Sequence, residues 1–260
     1  MRKRSQSITN KLPAAGALAF LFLVWFLASA GGLVPEFLLP SPIQVVQALV
    51  SDAPVLLDNA RVTLIEAFWG LGAGVAAALL LSTLMHRTRP LYRALYPLLV
   101  ITQTIPTIAI APLLVLWMGF GMAPKVTLVA LTTFFPVTVS LLEGYASTDR
   151  SAAALLRSMG ASQWQIFRHL EFPSALSHFF SGLRVSASYA VVGAVISEWL
   201  GGFEGLGVYM TRVKKAYAFD KMFAVILVIV AVSLSLMALV NVLRRLACPW
   251  EVFEKIERND

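Results

Sequence analysis

The strongest constraint on this chain is where its charges are absent. Residues 12–35, 67–85, 94–124, 126–142 and 222–243 contain no Asp, Glu, Lys or Arg. A bilayer core takes about 20 apolar residues as helix, so five crossings follow directly. A sixth runs over 178–199 and must accept Arg184 near one end, where a long cationic side chain reaches back to the interface. The expectation is an all-α polytopic membrane protein of six transmembrane helices, forming one domain over residues 1–260. Composition agrees: 13% of the residues are charged, against about 25% in a soluble domain.

A net charge of +7 invites a nucleic-acid partner, but its distribution argues for lipid. Arg2, Lys3, Arg4 and Lys11 precede the first run, and Arg87, Arg89 and Arg93 separate the second from the third. Arg150, Arg157, Arg168 and Arg184 cluster around the fourth gap, and Arg244, Arg245, Lys255 and Arg258 follow the last run. With six spans, fifteen of the 21 basic residues fall on one side, as the positive-inside rule requires of the cytoplasmic face. Both termini are therefore expected in the cytoplasm. The start imitates a signal peptide ending at Ala28-Ser29-Ala30, yet its apolar run is long enough to cross, and an uncleaved span is expected. Cys248 is the single cysteine, so no intramolecular disulfide forms.

Leu39-Pro40-Ser41-Pro42 leads into Ile43, Val46, Leu49 and Val50 at helical spacing. Pro42 suits a first helical turn, and a short interfacial helix on the outer membrane surface is expected, with packing inside the protein as its other role. The second span, 62–85, carries Gly70, Gly72 and Gly74 as small faces for close contact. Glu66 near its outer end is a functional candidate as an intramembrane acid. A headgroup-level pair with Arg61 is the plainer expectation. The third run exceeds one crossing and holds Pro97, Pro106 and Pro112. It predicts an interfacial helix over 91–98, then a crossing bent near Pro106. Polar side chains at that depth face protein or water. Gln103, Thr104 and Thr107, with Tyr189 on the fifth span and Glu198 at its outer end, are the candidate pathway lining. Hydrogen bonding between helices is the alternative. Pro136 predicts a kink in the fourth span.

The longest polar interval is 143–173. Asp149 can cap a helix that runs to Met159, and Gly160 stops it, since Gly adopts the left-handed conformation a helix end often needs. Ser162-Gln163-Trp164-Gln165 has the form of a capping box and starts a second helix, expected to end before Pro173. A helix, a Gly bend and a second helix make a stiff element suited to docking another protein.

These residues carry a resemblance. Gly160, nine residues, then Leu170-Glu171-Phe172-Pro173 resembles the second half of the EAA loop of permease subunits of binding-protein-dependent ABC importers. Ala161 and Trp164 fit as well. The first half departs from it: Ala154 stands where the family carries a glutamate. The Leu39–Pro42 entry and Ala111-Pro112-Leu113 with Trp117 resemble the nitrate, sulfonate, taurine and thiamine-precursor branch. Ser197-Glu198-Trp199-Leu200-Gly201, followed by Gly205-Leu206-Gly207-Val208-Tyr209-Met210, is most similar to permeases for the pyrimidine precursor of thiamine. The resemblance implies ATP-driven import of a small polar nutrient across a bacterial-type inner membrane. It implies a homodimer of permeases, two cytoplasmic ATPase subunits and an extracytoplasmic substrate-binding protein. It assigns ATPase coupling to Arg157, Ser158, Met159, Gly160, Ala161, Trp164, Leu170 and Pro173. Thiamine-precursor pyrimidine is the first substrate it points to; riboflavin-like compounds, sulfonate, taurine or nitrate follow.

No G-x-x-x-x-G-K-[ST] phosphate loop is present, so ATP hydrolysis is expected on a separate subunit. His86, His169 and His178 are scattered, with no Cys or acid at ligand spacing, and neither metal nor cofactor is expected. An intramembrane enzyme would need Glu66, Glu198 or His178 brought together, which their spacing does not do. That reading and a channel working without an ATPase are the remote alternatives.

Overall fold

The computed structural model describes residues 12–31, 35 and 38–250. Arg2, Lys3, Arg4, Lys11, Lys255 and Arg258, and with them the placement of the termini, lie outside the described residues. Among the described residues the regular structure is entirely helical. In order the helices are α1 Leu12–Ala30, α2 Pro42–Ser51, α3 Ala53–Arg87, α4 Arg89–Thr102 and α5 Thr107–Met118. There follow α6 Met122–Ala146, α7 Arg150–Ser158, α8 Gln163–Gly201, α9 Leu206–Lys215 and α10 Phe219–Ala247.

Four of these, α3, α6, α8 and α10, are long and apolar enough to cross a membrane. The pair α4 and α5 passes the same criterion only when taken together, with a bend of 100° between them. The third run thus bends near Pro106 as expected, and the bend is sharp. Its first helix starts at Arg89 and passes through Pro97 to Thr102, and the backbone then leaves helical geometry until Thr107. Pro106 has no N–H to donate and pushes Ile105 toward extended backbone, which explains a break at this point. Pro136 lies inside α6, and the helix continues through it.

A correction concerns Pro173. The helix that begins at Gln163 does not stop before it. Residues Phe167–Glu171 form one wide π turn, with the Phe172 N–H reaching Phe167 O, and α-helix resumes from Phe172 to Gly201. A widened turn removes the clash between a proline ring and the preceding carbonyls. The second helix of the polar interval and the fifth span are thus one 39-residue helix.

The chain divides into two compact units. The larger comprises 58–208 and 229–260. Its centre is α6 against α8: Val137, Leu141, Tyr145, Phe167 and Ala175 are buried together with Ala78 of α3. The glycines of α3 act as anticipated at two positions. A Cβ on Gly74 would stand 2.8 Å from Ala130 O, and one on Gly70 would stand 3.0 Å from Val126 O, whereas Gly72 faces open space.

The smaller unit comprises 1–57 and 209–228. Trp25 stacks on Phe223 with ring centroids 5.9 Å apart, and its Nε1 donates to Pro40 O at 3.1 Å. In α2 the Ser41 capping box forms with Gln44, and Pro42 occupies the first turn. Val45 and Ala48 are the packed residues, while Ile43, Val46 and Val50 are exposed. The helix thus has one packed side, which Leu49 joins, and one outward side carrying Ile43, Val46 and Val50. Asp52 closes the unit by accepting hydrogen bonds from Tyr209 Oη and from Lys221 Nζ, the latter at 2.8 Å. Lys221 first, then Tyr209, holds the Asp52 carboxyl below its ordinary value of 3.8. Burial, reinforced by Asp52, pushes the Tyr209 phenol up.

Candidate functional site

The polar interval folds as its caps dictate. The Asp149 side chain accepts from Ser151 N at 2.7 Å and starts α7. Gly160 N donates to Arg157 O and Ala161 N to Leu156 O, both at 3.0 Å. This is the paired pattern of a Schellman ending, and Gly160 has the positive φ it needs, +86°. Ser162 then accepts from Gln165 N while Gln165 Oε1 accepts from Ser162 N, so the second helix starts two residues after the first has closed. Both helix ends are closed locally, and the bend between them is set by one glycine.

The exposed side of this element is apolar at its tip. Leu155, Met159 and Trp164 are exposed at 62%, 74% and 57%, with Arg157 and Ser158 exposed beside them and Ala161 half-buried. Leu170 and Pro173 sit elsewhere: both are half-buried where α8 joins its long apolar part. At Ala154, which lacks the expected glutamate, the chain presents an exposed methyl group, and neighbouring Ala153 is the packed residue. The other side of α8 is fastened to the end of α3. The Arg87 guanidinium lies over the Phe167 and Trp164 rings, 4.8 and 5.3 Å from their centroids. His86 meets Glu171 Oε2 at 3.0 Å and stacks on Tyr145 at 4.6 Å. Sequence reasoning missed this clamp, because Arg87 and Glu171 are far apart in the chain.

A largely apolar cavity of about 380 Å3 opens beside the α4–α5 break. It brings Gln103 and Thr107 together with Tyr189 of α8, and adds Thr102, Thr132 and Gly193. The Thr102 and Thr132 hydroxyls are already committed to Leu99 O and Val129 O. The polar groups left to meet a guest are the Gln103 amide, the Thr107 hydroxyl and the Tyr189 phenol, set among Ile and Leu side chains. Thr104 and Glu198 do not line it. Thr132 escaped notice, although a threonine within an apolar span was its available signal.

Glu198 is instead 1% exposed and serves the architecture. Its carboxylate accepts from Thr63 Oγ1 at 2.6 Å and from Gly207 N at 2.5 Å. Thr63 Oγ1 accepts in turn from Leu206 N, and Asn59 Oδ1 from Gly205 N. The segment after α8 is thereby stitched to α3. Glu66 likewise departs from expectation. It is 4% exposed and accepts from Lys125 Nζ at 2.5 Å, so its partner is Lys125 and not Arg61. Burying a carboxylate inside a bundle requires a partner, and α6 supplies one where the outer end of α3 cannot. Among the described residues, no three His, Cys, Asp or Glu side chains are grouped to hold a metal.

Long apolar helices and a broken helix pair, with a short capped helix between two of the long ones, define a polytopic membrane protein. Residues 70–247 match the family of binding-protein-dependent transport system inner membrane components, and the chain belongs to that family. It is 38% identical to a probable ABC transporter permease of Haemophilus influenzae, over 83% of this chain and 88% of that relative. It is also 38% identical to the formylaminopyrimidine transport permease ThiX of Halalkalibacterium halodurans, over 88% and 92% of the two chains. The riboflavin transport permease RibX of Chloroflexus aurantiacus is 33% identical over 92% and 91%. Among solved structures, the MetNI methionine ABC transporter in an inward facing conformation shares the fold, with TM-score 0.67, 19% identity and coverage of 76% of this chain and 98% of that one. The protein is thus a permease subunit of an ABC importer, a multi-pass inner membrane transport component and not an enzyme. Membership implies an ATPase on a separate subunit and a substrate-binding protein as partners.

Proposed function

We propose that this permease imports a pyrimidine precursor of thiamine. The observation that carries the reading is the 38% identity to the formylaminopyrimidine permease over nearly the full length of both chains. The cavity chemistry supports it: one amide, one hydroxyl and one phenol among apolar walls suit a small, neutral, polar ring. The test is uptake into vesicles containing the permease, its ATPase and its binding protein. Labelled formylaminopyrimidine should accumulate in an ATP-dependent manner, and excess riboflavin or taurine should not compete. Competition by riboflavin alone would transfer the assignment to the substrate class of RibX.

In this reading two copies of the chain pair, Gln103, Thr107 and Tyr189 line the passage between them, and each copy engages one ATPase through Arg157, Ser158, Met159, Gly160, Ala161 and Trp164. Leu170 and Pro173 transmit the movement into α8. Six crossings are counted by taking α4–α5 as one broken span and α1, of 19 residues, as the first, with both termini in the cytoplasm. The charge asymmetry supports this topology. Single cysteines at Ser147 and at Ser51 should label from opposite sides of the membrane. Labelling of both from outside contradicts the topology.

A further inference from the structure

The turn that joins α3 to α4 walls a second cavity, of about 450 Å3, within the range of about 300–1,000 Å3 typical of small-ligand sites. His86 lines it from α3, Arg89, Tyr92, Arg93 and Tyr96 from α4, and Glu143 from α6. Residues four apart share a helix face, so Arg89 and Arg93 present two guanidinium groups to the same space. Tyr92 and Tyr96 form a second pair, their rings stacked with centroids 5.1 Å apart. Among the described residues, neither arginine has a carboxylate at ion-pair distance. Glu143 is the single acid on the lining, which leaves a cationic surplus with His86 neutral.

The depth of this cavity is set by the sequence. The charge-free run of α3 ends at Met85, and His86, Arg87, Arg89 and Arg93 follow at once. That change marks a membrane–water boundary, where tyrosines concentrate and arginine stems lie along apolar surface while their heads reach water. Buried Met85 and Leu142 supply the apolar part of the wall. Phosphate is the anion a planar guanidinium fork matches, and at this depth phosphates belong to lipid headgroups, for which basic pockets between transmembrane helices are sites. We infer that this cavity binds the phosphate of an anionic phospholipid headgroup through Arg89 and Arg93, with Tyr92 and Tyr96 bounding it at the membrane surface. The site is separate from the substrate cavity and does not depend on which nutrient is imported.

The test uses the permease assembled with its ATPase in nanodiscs of phosphatidylcholine, alone or mixed with phosphatidylglycerol. The native complex should melt several degrees higher in the mixed discs. Arg89→Gln/Arg93→Gln should melt like the native complex in phosphatidylcholine and lose most of the increment in mixed discs. Arg245→Gln, at the end of α10 and outside the cavity, should keep it. Millimolar inorganic phosphate added to phosphatidylcholine discs should leave the native melting temperature unchanged. An equal increment in native and double variant overturns the inference. A shift produced by free phosphate overturns the lipid assignment and gives the site to a soluble anion. Should the double Gln variant lose its fold, Arg89→Lys/Arg93→Lys replaces it: half the native increment or less supports the fork, and the full increment overturns it.

Discussion

Gly160 shows how little is needed to set the bend between α7 and α8. Its φ of +86° is combined with open space where a Cβ would stand, so a substitution is opposed by the backbone alone, by about 1–2 kcal/mol. Gly160→Val should leave the spans inserted, weaken ATPase docking and abolish substrate-stimulated hydrolysis. Gly160→Asn, which tolerates the left-handed region better, should lose less. Co-purification of the ATPase is the measurement, and a valine variant that both docks and transports normally removes Gly160 from the coupling element. Inside the bundle the opposite logic holds, because Glu66 and Lys125 are buried and paired. Lys125→Met leaves a carboxylate unpaired and should cost about 3–5 kcal/mol, while Glu66→Gln/Lys125→Met should cost much less, as removing both charges of a buried pair does. Melting temperatures of the purified complex should rank the single variant well below the double.

Among the elements, α8 carries both the exposed Trp164 turn and a long apolar stretch without interruption, and its π turn is where the two join. A force applied at Trp164 therefore enters a continuous helix. Arg87 holds the near end of that helix to α3 by lying over two aromatic rings, a contact worth about 0.5–2 kcal/mol. Arg87→Ala should speed amide exchange in α7 and the first turns of α8 while leaving α6 protected, and Arg87→Lys should fall between. Unchanged exchange over 150–171 would show that the clamp holds nothing in place.

For the molecule as a whole, the pathway reading predicts that Gln103→Leu and Tyr189→Leu each reduce uptake about five- to thirtyfold with ATPase assembly intact, since each removes a polar group worth about 1–2 kcal/mol to a guest. Stability should also respond to pH through the smaller unit. Asp52 is shifted down, so its contribution is present above pH 3.8 and is lost as pH falls toward its folded value. Tyr209 is shifted up, so its contribution is present below pH 10.0 and is lost above it. Between those limits the pair should leave melting temperature flat with pH. Asp52→Asn should lower melting at neutral pH and shrink both the acid and the alkaline losses.

The helical class, the long apolar helices and the capped bend at Gly160 were legible in the sequence, because each rests on local chemistry. A charge-free run has one solution in lipid, and Asp149, Gly160 and Ser162 with Gln165 act on backbone atoms within five residues of themselves. The cavity beside the α4–α5 break was half legible: Gln103, Thr107 and Tyr189, which line it, stood out as polar residues on apolar spans, but the same signal pointed to Glu198. A buried acid and a cavity-lining acid look alike along the chain. Only the tertiary structure distinguishes them, since Thr63 and Gly207 consume the Glu198 oxygens and Lys125, 59 residues from Glu66, neutralises that residue. Pro173 teaches the same lesson for the backbone. Its bias against helix is a local propensity, and the wide turn at Phe167–Glu171, with Phe167 packed against Tyr145 and Ala175, lets the helix continue through it.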